Sequence, residues 1–346
     1  MPGWESQVRI QAADSWGTAG TFGKRGYFLF LDSETLSYGA QVSERDNKIL
    51  GLRESPVDTF SVDRYFPRGG ITFQPRTDDI LLLLGAMFQN VVISGTGTYT
   101  FYPLHKVTSF ALGGSRIGTN AFSLNVDLFL GQSFITTGGT QANGIRFTNG
   151  IVDKLTFTSR YGEDLMCTAE FKFLAGSYYA YPTAFAAPSV YGSFSAYSRF
   201  VDYMGTVTVA GEDYDIENWT GNFSNNTADR ARVGKRGYNR FPFSGKFVAD
   251  GEFMMELQRD LAVLAEGQYG SLNVNFFQAA GNQILVVQPN IANRAFDIPL
   301  NSGEEVIELT RPYRAYPPSG TTGPSTQITV YTGTTFGTAL LGMNTA

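Results

Sequence analysis

The sequence predicts a mainly β protein whose two halves are related to each other. Three observations lead to this prediction. The 346 residues include 39 Gly, 28 Phe and 18 Tyr, and such residues favour tight turns and strands over helices. Short apolar or alternating segments follow one another with turn residues between them. One pattern (an acidic turn, a Gly-x-Arg sequence, a Phe-Ser strand and an apolar helix) occurs twice, which indicates an internal duplication.

The first copy of this pattern occupies residues 31–88. When the chain is shifted by 183 positions, seven of the thirty residues at 32–61 meet an identical residue, whereas about two are expected by chance. These seven residues of the first copy are Asp32, Glu34, Asp46, Gly51, Arg53, Phe60 and Ser61. An apolar helix predicted at 78–88, with Thr77 and Asp78 as caps, has a similar segment at 258–264. We therefore predict a first domain with an N-terminal arm at 1–148, a second domain at 149–318, and a C-terminal linker, strand and tail at 319–346.

The other elements follow from alternation and turn residues. Strands are predicted at 27–31, 59–66, 70–74, 91–93, 97–104, 107–112, 122–130, 153–160, 164–174, 206–209 and 327–331. Segments 1–26, 32–52 and 131–148 are expected to be an irregular arm and two loops. The strand at 327–331 has no counterpart after the first copy, and it is expected to add to the sheet edge of a neighbouring subunit.

The composition limits the function. Charged residues make up 16% of the chain, below the usual value of about 25%, which suits a surface covered by partners in an assembly. The net charge of −5 argues against a protein that grips nucleic acid through its phosphates. A single cysteine, Cys167, permits no intrachain disulfide and is expected to be a small buried residue.

No catalytic, cofactor-binding or metal-binding constellation is predicted, so the protein is expected not to be an enzyme. The only histidine is His105, and no Gly-x-Ser-x-Gly sequence accompanies it, although a serine nucleophile needs an oriented base. Adjacent acids on a strand point to opposite faces, so they do not converge by themselves. The adjacent acid pairs are Asp78-Asp79, Glu163-Asp164, Glu212-Asp213 and Glu304-Glu305.

Two charged segments are the candidate contact sites between subunits or rings. The first is the polar loop at 32–52. The second is a basic cluster at 230–240, which ends at Arg240 and overlaps the repeat of that loop at 215–235. The basic cluster suits either a phosphate backbone or the acids of an adjacent subunit, and the acidic total favours the subunit. The candidate contact residues are Glu44, Arg45, Asp46, Lys48, Arg230, Arg232, Lys235 and Arg236.

Targeting signals are not predicted. The start of the chain, MPGWES, lacks the basic and apolar regions of a signal peptide. No run approaches the length of about 18 apolar residues that a transmembrane helix needs. Synthesis and assembly in a cytoplasm are therefore expected.

The order of features over residues 15–316 resembles the tail tube proteins of long-tailed bacteriophages. The motifs that carry the resemblance are Trp16-Gly17-Thr18, Gly51-Leu52-Arg53, the strand region 60–73 that runs into 79–85, the Ser/Thr-rich pair 152–174 with Glu163-Asp164-Leu165, the strands at 245–257, and the aliphatic run 284–287 ahead of Gln288-Pro289-Asn290.

The resemblance implies two tandem tail-tube-like β-sandwich domains, each with a short flanking helix, that contribute strands to the inner β-barrel of a ring. Such rings stack into the hollow tail tube of the virion, through which genome DNA passes into the host without specific binding. Two domains per chain imply trimeric, pseudo-hexameric rings, with a plain hexamer as the alternative. The implied partners are further copies of the chain, the tape-measure protein and other tail proteins, and the family has no catalytic residues to carry over.

Three alternatives remain open at this point. An outer-membrane β-barrel shares the glycine, the aromatic residues and the alternation, although it needs a signal peptide. A cell-surface, glycan-binding β-sandwich would use exposed aromatic residues with paired acids. Another virion component, such as a capsid decoration or tail terminator protein, has a similar pattern.

Overall fold

The computed structural model describes residues 7–12, 26–37, 40–44, 60–95, 97–103, 122–135, 141–179, 193–194, 199–201, 205–213, 216–227, 245–256, 269–278, 281–294, 308–318 and 323–332. In these ranges the chain forms twenty β-strands and one α-helix, so the prediction of a mainly β protein is confirmed. The motifs at 16–18 and 51–53, the strand predicted at 107–112 and the second helix predicted at 258–264 lie outside the described residues.

The elements up to residue 135 are β1 (Gln7–Ala12), β2 (Gly26–Phe28), β3 (Leu31–Glu34), β4 (Ala40–Glu44), β5 (Phe60–Tyr65), β6 (Arg68–Phe73), α1 (Thr77–Phe88), β7 (Val91–Ser94), β8 (Thr98–Phe101) and β9 (Leu124–Ile135). The later elements are β10 (Gln141–Arg160), β11 (Met166–Tyr179), β12 (Ser193–Phe194), β13 (Gly205–Val209), β14 (Glu212–Asp213), β15 (Ile216–Ser224), β16 (Val248–Glu256), β17 (Tyr269–Phe277), β18 (Gln283–Asn293), β19 (Glu308–Tyr316) and β20 (Gln327–Tyr331).

The sheet is organised on the long strand β10. One edge of β10 pairs with β11. The other edge is divided, because β9 pairs with its first half and β15 pairs with its second half. From β9 the sheet continues through β1 to β2, and from β15 it continues through β16 and β19 to β18. The two halves of the chain therefore share one strand.

A second division occurs at β18. One edge of β18 pairs with β17, which continues to β13 and β14. The other edge pairs with β20 and then with β19, and β20 continues to β8 and β7. All of these pairings are antiparallel. Among the described strands they do not close into a barrel. Strands β4 and β5 form a separate antiparallel pair.

Two three-stranded groups have the same order and the same irregularity. In the order β3–β6–β11, Phe73 lies between Leu31 and Cys167, and a bulge in β3 follows Leu31. In the order β15–β16–β19, Met255 lies between Ile216 and Leu309, and a bulge in β15 follows Ile216. The central residues Phe73 and Met255 are completely buried, as are Cys167 and Leu309.

Helix α1 begins and ends close to the predicted positions. Its N-cap is Arg76 rather than Thr77, and Oδ1 of the Asp79 carboxyl group accepts a hydrogen bond of 2.8 Å from the Arg76 main-chain N–H. At the other end, Gln89 takes a left-handed conformation, and the side chains of Gln89 and Asn225 donate to the carbonyls of Ala86 and Met87. These contacts satisfy groups that a helix end leaves unpaired.

The position of α1 explains its uniformly apolar sequence. All twelve residues of the helix are buried. The helix contacts β1, β9 and β10, and it also contacts β8 and β20. A helix covered on several sides needs no polar face, so α1 is a central element of the described core and not a flanking one.

Three segments predicted to be irregular contain strands. The arm at 1–26 includes the buried strand β1, the loop at 32–52 includes most of β3 and all of β4, and the loop at 131–148 includes the end of β9 and the start of β10. The polar residues of these segments hid the pattern. In β1, for example, Val8 and Ile10 alternate with Arg9 and Gln11, yet all four are buried.

The C-terminal strand does not add to the sheet of a neighbouring subunit, so that expectation is wrong for the described chain. Strand β20 has the predicted bounds, but it pairs with β8 and β18 of its own chain. Its residues Ile328 and Val330 are completely buried. The division at residues 148 and 149 falls inside β10, and the two-domain organisation stays a prediction.

Candidate interaction surfaces and a polar cavity

The predicted contact residues fall mostly outside the described chain. Glu44 ends β4, where its backbone is paired with Phe60 of β5. The other seven predicted contact residues, Arg45, Asp46, Lys48, Arg230, Arg232, Lys235 and Arg236, lie outside the described residues. Their role in subunit contacts stays a prediction.

Strand β7 presents an apolar edge. Its residues are Val91, Val92, Ile93 and Ser94, and among the described residues the strand pairs only with β8. Val91 is buried beneath the sheet, whereas Val92 is 40% exposed. An apolar strand edge with free N–H and C=O groups is a template for pairing with another chain. The edge of β7 is therefore a candidate site for contact between copies.

A buried ionic cluster joins three neighbouring strands. Asp127 of β9 lies opposite Arg9 of β1 and opposite Arg146 of β10. The Arg9 Nε donates to Asp127 Oδ2 at 3.1 Å, and the Arg146 Nε donates to Asp127 Oδ1 at 2.6 Å. Asp127 is completely buried. Paired charges of this kind fix the register of β1, β9 and β10, because a shift by one residue would separate them.

Two carboxyl groups at the start of α1 have raised pKa values. Burial raises the pKa of Asp78 to about 6. Burial also raises the pKa of Asp79 to about 8, against the opposing effects of the Arg76 main-chain N–H and guanidinium. On β11, burial raises the pKa of the Cys167 thiol, and a negative charge on Asp79 raises it further. Cys167 is buried as predicted, and a thiol in this environment is unreactive.

A polar cavity lies at the turn between β10 and β11. It has a volume of about 540 Å³ and is lined by Gln74, Gly162, Glu163, Asp164, Met166, Arg199 and Val201. The Asp164 Oδ2 accepts hydrogen bonds from Gln74 Nε2 at 2.7 Å and from Arg199 Nη1 at 2.9 Å. Segments that are far apart in sequence therefore meet at one carboxylate.

Sequence reasoning found only part of this cavity. The sequence marks Glu163-Asp164 as an adjacent acid pair, but it assigns no role to Gln74 or Arg199. Arg199 is placed by a backbone hydrogen bond from Leu165 N to Phe200 O and by Gln278 Nε2, which donates to the Arg199 carbonyl at 2.6 Å. These contacts join residues about 35 and 80 positions apart, which no local pattern reveals.

Within the described ranges, no group of three or more His, Cys, Asp or Glu side chains is placed to hold a metal ion. The described helix is too short to cross a membrane.

No protein-family model matches the chain, and no curated protein shows significant similarity to it.

Proposed function

We propose that the chain is a structural protein of a bacteriophage virion that polymerises into stacked rings and forms the hollow tail tube. The observation that carries this proposal is the apolar edge of β7, which pairs only with β8 in the part of the chain that the structure describes and carries no charged residue. A soluble monomer normally protects such an edge with charge, proline or a covering segment. An edge that pairs with the next subunit is protected by assembly.

The repeated strand groups support a ring built from duplicated units. The pair β3–β6 of the first predicted domain corresponds to the pair β15–β16 of the second, and each pair has a bulge at the same place. In this structural correspondence, Leu31 of β3 is equivalent to Ile216 of β15. The sequence offset of 183 would instead make Leu31 equivalent to position 214, two residues earlier. Two related units per chain favour a trimeric ring with pseudo-hexagonal symmetry over a ring of six chains. Each unit would be one tail-tube-like β-sandwich that contributes strands to the inner barrel.

The proposal is tested by imaging the purified chain at rising concentration by negative-stain electron microscopy. We expect hollow filaments with a regular axial repeat, and end-on views that show three subunits in each ring. Subunits that remain monomeric at every concentration, also when preformed tubes or tail-tip complexes are added, would contradict the tube. Six subunits per ring would contradict the trimer but not the tube.

The variant Val92→Lys tests the edge of β7. A lysine on an exposed sheet edge opposes edge-to-edge pairing, so filaments should be lost while the circular dichroism spectrum and the unfolding midpoint are retained. Glu252→Lys is the matched control, since Glu252 is exposed on β16, which is paired along both edges. Filaments formed by Val92→Lys at the wild-type concentration would exclude β7 as the joining edge.

A further inference from the structure

We propose that the cavity between the β10–β11 turn and residues 199–201 is a binding site for a neutral, hydroxyl-rich ligand, a mono- or disaccharide unit of a glycan. The site is separate from the edge of β7, so the inference goes beyond assembly and does not depend on it. Its volume of about 540 Å³ lies within the range of small-molecule sites, about 300 to 1,000 Å³.

The walls of the cavity are held in place by contacts across the fold. The Asp164 carboxylate is fixed by Gln74 and Arg199. The backbone of Gln74 is bonded to Phe30 O at 3.1 Å, and the backbone of Leu165 is bonded to Phe200 O at 3.0 Å. Polar groups that are oriented before a ligand arrives lose little entropy on binding, so this arrangement suits recognition.

The charged groups of the lining are largely paired. The Arg199 guanidinium is paired with Asp164, so the described lining offers no unpaired positive charge to an anionic ligand. Glu163 and Asp164 carry negative charges that oppose a phosphate or a carboxylate. A neutral ligand avoids this repulsion and leaves the pair between Arg199 and Asp164 intact.

The hydrogen-bonding groups select for hydroxyls. Asp164 Oδ2 accepts both bonds described above, and within the described ranges Asp164 Oδ1 and the Glu163 carboxylate can accept further bonds. Gln74 supplies an amide that both donates and accepts, and Arg199 supplies further N–H donors. A hydroxyl group donates and accepts at once, and neighbouring hydroxyls on a sugar ring match such a mixed set of donors and acceptors.

Apolar groups complete the site. Met166 and Val201 line the cavity and offer contact to the C–H groups of a sugar ring. Tyr161, adjacent in the chain to the lining residue Gly162, is 82% exposed. An exposed phenol ring combines a flat apolar face with a polar tip, which suits stacking against a sugar ring.

Saturation-transfer NMR on the full chain tests the proposal with glucose, galactose, mannose, N-acetylglucosamine and lactose. We expect transfer to at least one of these sugars, with a Kd of about 1 mM. Arg199→Ala and Glu163→Gln should each weaken binding about tenfold, the loss expected for one hydrogen bond to a charged group. Glu212→Gln, an exposed acid on β14 outside the cavity, is the matched control and should bind as the wild type does.

Three results would overturn the inference. The first is an absence of transfer to every sugar in the panel. The second is binding that Arg199→Ala and Glu163→Gln leave unchanged. The third is preferential binding of methylammonium or inorganic phosphate, which would show that the cavity selects charge. Each of these results leaves the filament experiment and its interpretation unaffected.

Discussion

Asp79 is a carboxyl group held in its neutral form by the fold. Its pKa is raised by burial to about 8, whereas in an unfolded chain it is about 3.9. Between these values the folded state binds a proton that the unfolded state has released. The free energy of unfolding should therefore decrease as the pH rises from about 4 to about 8, by up to about 1.4 kcal/mol per pH unit from this group.

Asp79→Asn should remove this contribution, because the amide has the same shape and no charge, and its Oδ1 can still accept from Arg76 N. Urea unfolding across this pH range should show a shallower loss of stability for the variant, and the variant should exceed the wild type in stability near pH 8. Equal pH dependence of the two proteins would contradict a buried neutral carboxyl at the start of α1.

Asp127 gives a second prediction at the same scale. Asp127→Asn removes the negative charge that lies between two buried guanidinium groups. Removing one partner of a buried ion pair destabilises a protein by about 3–5 kcal/mol. The control Glu170→Gln alters the exposed pair with Lys154 at 3.7 Å and should cost at most about 1 kcal/mol. Chemical denaturation compares the two, and similar losses would refute a structural role for the buried cluster.

The burial of a single residue could be predicted from the sequence only where an apolar side chain has an apolar environment. The apolar residues of α1 are buried, and so is Cys167, whose burial was expected. The burial of Arg9 was not expected, because an arginine among polar neighbours resembles a residue of a loop. Its burial depends on Asp127 and Arg146, which are more than a hundred residues away, so the pattern near residue 9 contains no sign of it.

At the scale of elements, the pairing of β15 with β16 contains a close approach of two backbones. Gly221 lies opposite Gly251, and the side chains of Trp219 and Tyr313 cover these glycines, joined by a 3.1 Å hydrogen bond from Trp219 Nε1 to the Tyr313 hydroxyl. A Cβ at position 251 would meet the Thr220 carbonyl and lie 2.6 Å from the Tyr313 hydroxyl. Because glycine has no side chain, positions 221 and 251 leave space for the rings of Trp219 and Tyr313.

Gly251→Ala should therefore destabilise the protein by about 1–3 kcal/mol, as overpacking does. Gly270→Ala is the matched control in β17, since its Cβ would lie at an ordinary distance of 3.4 Å from Ala210, and it should be close to neutral. Thermal unfolding of both variants checks this. A Gly251→Ala protein as stable as the control would show that the strands can separate without loss.

Strands and helices with a regular pattern of apolar residues were predicted well. Strands in which polar and apolar residues occur on the same face were not. The bounds of β5, β13 and β20 and of α1 agree with the prediction to within one or two residues. The segment 131–148 was expected to be a loop because it is rich in glycine and threonine, yet β9 and β10 occupy most of it. Long-range pairing can override weak local preference in strands, and here it does so between β9, β10 and β11.

At the scale of the whole molecule, the proposed ring contacts make a prediction about charge. Exchanging Glu44 and Asp46 for lysine should weaken polymerisation without unfolding the chain, because acids in this segment are expected to pair with cations of an adjacent subunit. Filament length at a fixed concentration, measured by electron microscopy, and the unfolding midpoint together check this. Unaltered filaments would show that the segment is not part of the contact.

The class of fold could be predicted from composition and alternation, but the arrangement of the strands could not. The order β3–β6–β11 joins strands that begin at residues 31, 68 and 166, and the division of β10 between β9 and β15 has no local signature. The cavity depends on the same arrangement, because Gln74, Asp164 and Arg199 meet only after these strands have paired.

The divided edge of β10 also has a consequence for synthesis. Translation supplies residues 141–160 and their partner β11 well before residues 216–224, which cover the second half of the same edge. During this interval the nascent chain carries an uncovered half-edge, and two ribosomes on one message would bring identical half-edges close together. The interval between residues 160 and 224 is therefore the stage of translation at which a bound holdase, or a slower rate of initiation, would raise the yield of correctly folded subunits.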